Sequence, residues 1–71
     1  MTIGERIVKE LHDKDMTQRE LAAKIGISEV SISRYVNEGR QPRAGILGEI
    51  AKALGVSADT LLGLDEDGRN S

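Results

Sequence analysis

Glu29, Val30, Ser33 and Arg34 lie within one six-residue span and offer four different kinds of contact. A carboxylate only accepts hydrogen bonds, a valine offers methyl groups, a hydroxyl both donates and accepts, and a guanidinium donates through a planar fork. Such a set suits the reading of a surface patterned in donors, acceptors and methyl groups rather than the breaking of bonds. Around it stand further hydrogen-bonding side chains, Gln18, Ser28, Ser31, Asn37, Arg40 and Arg43. Over residues 17–43 five basic side chains (Arg19, Lys24, Arg34, Arg40, Arg43) face three acidic ones (Glu20, Glu29, Glu38). The whole chain nevertheless carries a net charge of −2, because Asp59, Asp65, Glu66 and Asp67 against Arg69 load its last residues with negative charge.

Catalytic residues are not expected. His12 has no nucleophile or partner at a useful spacing, and its place near the end of a helix is explained by the helix dipole. Asp13 and Asp15 flank Lys14 in a connecting loop, where solvation is the ordinary role of such acids. With no cysteine and a single histidine among 71 residues, neither a disulfide framework nor a metal site is expected, and no cofactor is implied. No apolar run approaches the roughly 18 residues of a membrane span, and the N-terminal residues lack the apolar segment of a signal peptide. The expectation is a cytoplasmic protein with no membrane partner.

The elements that must position the reading residues follow from apolar spacing. The sole aromatic residue is Tyr35, β-branched residues never alternate over a strand length, and apolar residues recur at helical intervals, so the fold is expected to be all-α. Ile3, Ile7, Val8 and Leu11 predict a first helix over about residues 3–13. Thr17 and Glu20 form the sequence of a capping box opening a second helix, whose buried face is Leu21, Ala22 and Ile25 and whose stop is Gly26. Ser28 caps a third, with Ile32, Tyr35 and Val36 turned inward. A fourth runs over about 43–54 on Ile46, Leu47, Ile50, Ala51 and Leu54, and Gly55 stops it. Gly45 and Gly48 inside it each cost about 1 kcal/mol relative to Ala. Ser57 caps a short fifth helix, with Val56 placed to staple onto Leu61.

Two helices joined through about three residues around a glycine cross steeply, which is the helix-turn-helix unit whose second helix enters the DNA major groove. Inward Ile32, Tyr35 and Val36 turn Glu29, Val30, Ser33 and Arg34 outward near the start of that helix. In that setting Arg34 can pair with guanine O6 and N7, Glu29 can accept from cytosine N4, Val30 can pack on a thymine methyl, and Ser33 can serve either base type. Phosphates are expected at Gln18 and the amides opening the second helix, and at Ser28, Ser31, Asn37, Arg40 and Arg43.

The spacing of Gln18, Leu21, Ala22, Ile25, Gly26, Ile27, Ser28, Ile32, Ser33, Arg34 and Tyr35 resembles the Cro/CI-type helix-turn-helix domains, also called the XRE family. "PRAGILGEIAKALGVSADTLL" is similar to that family's fourth and fifth helices. The resemblance covers about residues 3–63 and implies a five-helix, lambda-repressor-like domain, taken as 1–64, followed by a flexible acidic tail over 65–71. It implies readout of double-stranded DNA from the third helix and a transcriptional regulator, most simply a repressor. It equally admits a phage-type repressor, a restriction-modification controller, or an antitoxin with a toxin as partner. An interaction adaptor that has lost DNA binding is the alternative that the acidic net charge favours. In "NEGRQP" Gly39 falls one residue later than the family's usual Asn-Gly, so either Asn37 takes the left-handed cap or the third helix runs slightly longer. So small a basic excess predicts weak binding by one copy, hence a homodimer, with Leu61, Leu62 and Leu64 as its seam.

Overall fold

Four of the five helices among the described residues begin on a hydroxyl. The computed structural model describes residues 1–64, and within them the helices are α1 (Ile3–Asp13), α2 (Gln18–Ile25), α3 (Glu29–Asn37), α4 (Ala44–Leu54) and α5 (Ala58–Leu62). No strand occurs among the described residues, and the all-α, five-helix expectation holds. The acidic tail expected over 65–71 lies outside the described residues.

At α2 the Glu20 amide donates to Thr17 Oγ1 (3.0 Å) and the Thr17 amide donates back to the Glu20 carboxylate (2.8 Å). The same reciprocal box opens α1 between Thr2 and Glu5. Its signal in the sequence is "TIGE", a Thr three residues ahead of a Glu, which apolar periodicity alone does not register. Ser28 and Ser57 each accept one first-turn amide, from Ser31 and Thr60. α4 starts one residue later than expected: Arg43 is its N-cap and makes no side-chain capping bond.

The core is wholly apolar. Ile7, Leu21, Ile32, Ile50, Leu54 and Leu61 are fully buried, joined by Leu11, Ala22, Leu47 and Ala51, and no polar or charged residue is buried with them. Two expectations need correction. Val8 is 45% exposed, because the buried strip of α1 is narrow and centred on Ile7 and Leu11, which leaves Val8 on its flank. Leu61, expected at a dimer seam, has no exposed surface at all: α5 packs against α1 and α4, and Leu61 is the residue it inserts.

α1 and α3 cross at Gly4, whose missing side chain lets the two backbones touch. A Cβ there would lie 2.5 Å from the Tyr35 carbonyl oxygen and 2.9 Å from Val36 Cα. Between α2 and α3, Gly26 takes the left-handed conformation (φ 76°), and the Ile27 amide closes the turn onto the Ala22 carbonyl at 3.1 Å. This is the break expected in the sequence, and it sends α3 across α2.

α3 resolves the loop alternatives in favour of the longer helix. Asn37 stays helical, Glu38 caps, and Gly39 takes the left-handed turn (φ 71°), with the Arg40 amide returning to the Arg34 carbonyl at 3.3 Å. Asp13 is the last residue of α1 rather than a loop residue, and it pairs with Lys9 one turn back at 2.9 Å.

Candidate nucleic-acid interface

The helix-turn-helix sets the starts of α2 and α3 side by side. Glu29, Val30 and Arg34 are exposed on α3, and Ser33 is half-buried, accepting from Asn37 Nδ2 at 3.0 Å. Asn37, expected to hold a phosphate, thus already spends one donor inside its own helix. Ser28 and Ser31 are similarly engaged, their hydroxyls 3.0 Å apart while Ser28 Oγ also takes the Ser31 amide. These bonds orient the serines at the mouth of the turn, and each hydroxyl keeps capacity for a further partner.

Gln18 is half-buried at the first position of α2. The Glu20 amide is occupied by Thr17 Oγ1, so an anion at this helix end would meet the Gln18 and Arg19 amides. The Glu20 carboxyl is held below its ordinary value, chiefly by the hydrogen bond from the Thr17 amide and then by the Thr17 hydroxyl. It therefore stays ionised, and it opposes part of the positive helix end that would attract an anion.

Beside the outer face of α3 runs a groove of about 440 Å³, lined by Ser31, Arg34, Tyr35, Arg40, Gln41, Arg43 and Ile46. It brings Arg34, expected at a base, together with Arg40 and Arg43, expected at phosphates, and no carboxylate lines it. Three of its residues, Tyr35, Gln41 and Ile46, were absent from the expected site. Tyr35 is half-buried, packing on the core with one side and lining the groove with the other. Gln41 sits between Arg40 and Pro42 in the α3–α4 connection, and its polar type within a basic loop was the signal available. Its three guanidiniums and the hydroxyl-bearing Ser31 and Tyr35 are donors of the kind that suit an oxyanion such as a phosphate.

Residues 9–61 match the model of a family described as Helix-turn-helix. This chain belongs to the Cro/CI-type helix-turn-helix family. The helix-turn-helix chain is 33% identical over 66 residues to the HTH-type transcriptional regulator ImmR of Bacillus subtilis (strain 168). That alignment takes in 93% of this chain and 52% of ImmR, so the chain spans about half the length of that relative. Its fold is similar to that of the P22 c2 repressor in a crystal structure with synthetic operator 9T in the presence of Tl+. The TM-score is 0.81 at 32% identity, covering 87% of this chain and 94% of that one.

Elsewhere on this helix-turn-helix domain, Leu62 and Leu64 are about half exposed (44% and 52%) at the α5 end. Among the described residues no group of His, Cys, Asp or Glu is placed to hold a metal, and no helix is long and apolar enough to cross a membrane.

Proposed function

We propose that this protein is a sequence-specific DNA-binding transcriptional regulator of the cytoplasm, a repressor that occupies a palindromic operator as a homodimer. The unit that does this is residues 1–64. The three-arginine groove beside the outward face of α3 carries the reading, since it joins a phosphate-holding surface to a base-reading one on a single side of the domain. Arg40 and Arg43 fix the domain on the backbone, with Gln18, Ser28, Ser31 and Asn37 supplying neutral contacts. Glu29, Val30, Ser33 and Arg34 meet the base edges. The similarity to ImmR, a transcriptional regulator, and to the P22 c2 repressor supports the same conclusion.

Leu62 and Leu64 supply the seam between copies, which must hold two α3 helices about 34 Å apart to meet successive major grooves. The test is a mobility shift with the DNA upstream of the gene, across a range of salt. Binding that survives nonspecific competitor and weakens as salt rises is expected. A folded protein that shifts no upstream fragment at low salt would instead support the adaptor reading, which the net charge of −2 favours. In that reading a protein partner such as a toxin occupies the fold.

A further inference from the structure

Arg19, the second residue of α2, and Glu29, the first of α3, meet across the turn, with Arg19 Nε 3.6 Å from Glu29 Oε1. Both side chains are open to solvent, at 84% and 52% exposure, and a pair so exposed contributes little to folding. Its location gives it another use. Glu29 is the only acid on α3, and it stands at the end that approaches DNA. A lone carboxylate there is repelled by the phosphates on either side of the groove, yet a carboxylate is what accepts a hydrogen bond from cytosine N4.

We propose that Arg19 is a specificity-determining positioning residue. Its guanidinium neutralises Glu29 and fixes the direction of the carboxylate, holding Oε1 and leaving Oε2 for the base edge. The assignment rests on the operator-binding reading above. It gives Arg19 a role that works through Glu29 and not through the backbone of the duplex.

The experiment is a double-mutant cycle read as base preference. Arg19→Ala, Glu29→Gln and the double variant are bound to the selected operator carrying each of the four bases at every position. Arg19→Ala is expected to flatten the cytosine preference by roughly fivefold or more at the one position that Glu29→Gln also flattens. The double variant should show no further loss there, and Arg19→Lys should retain part of the preference. Preferences at the position read by Arg34 stay as in the wild type. If Arg19→Ala lowers affinity for all sequences alike and leaves every preference intact, Arg19 is a phosphate contact and the proposal falls. If the wild-type chain selects no sequence at all, the operator reading itself falls, and this assignment with it.

Discussion

The backbone of α1 at Gly4 rests directly on the Tyr35 carbonyl and the Val36 Cα of α3. Any side chain at Gly4 must push the two helices apart, because the atoms it meets belong to a backbone that cannot rotate away. Gly4→Ala should therefore destabilise the fold by about 1–3 kcal/mol, the usual cost of overpacking. Urea denaturation measures it. An unchanged midpoint would mean that the α1–α3 crossing is looser in solution.

Gly45 and Gly48 lie inside α4 with nothing within 4 Å of where a Cβ would stand. Helix propensity then acts without opposition from packing. Gly45→Ala and Gly48→Ala should each stabilise the protein by up to about 1 kcal/mol. A loss of stability in either variant would reveal a contact that the structure does not contain.

Arg34 and Arg40 share a groove but should differ in what their loss does. Arg34→Ala is expected to lower operator affinity by about 1–3 kcal/mol and to relax preference at one base position per half-site. Arg40→Ala should weaken all sequences equally and reduce the slope of log affinity against log salt by about 1. Titrations at several salt concentrations separate the two, and a changed base preference in Arg40→Ala would reassign the loop.

Leu64→Glu places a charge on the exposed surface after α5 without touching the core, so the helical fold should be retained by circular dichroism. Sedimentation is expected to show a monomer where the wild type dimerises, and cooperative binding to a palindromic site should be lost. A variant that still sediments as a dimer moves the seam away from α5.

The two capping boxes make stability sensitive to acid. Glu5 and Glu20 are both held below their ordinary value of 4.5, chiefly by backbone hydrogen bonds from Thr2 and Thr17. Carboxyls lowered in the folded state take up protons more readily in the unfolded one. Their stabilisation is therefore full above pH 4.5 and is lost as pH falls below it. Melting temperature should be flat from about pH 7 to 5 and then fall, and less so in Glu5→Gln/Glu20→Gln, where the amide keeps the box without titrating. Asp13, lowered mainly by its hydrogen bond from Lys9, leaves a residual acid dependence. Equal acid sensitivity in variant and wild type would show that the boxes do not hold the helix starts.

Most of this fold is written in local chemistry along the chain. Thr17 with Glu20, Ser28, Gly26 and Gly55 each fix a helix boundary through atoms only a few residues apart in the chain, and all four boundaries follow from the sequence. What failed depended on distant partners. Val8 lies close in helical phase to buried Gly4 and Leu11, one turn away, and only the width of the surface facing α1 decides which of them is covered. Leu61 is surplus apolar area by sequence alone, and the packing of α1 and α4 against α5 is what encloses it. The Arg19–Glu29 pair and the arginine groove are likewise products of how α2, α3 and α4 meet. Arg34, Arg40 and Arg43 can be named one by one from the sequence, but not that they line one groove with Tyr35 and Gln41.

Tyr35 is the only aromatic side chain in the chain, and it forms one wall of the arginine groove. The molecule therefore carries a built-in optical probe at a single place. Its ultraviolet absorption and emission above the peptide band come from that ring alone, so any change in them reports the occupancy of this groove or the loosening of α3 beneath it, with no label attached.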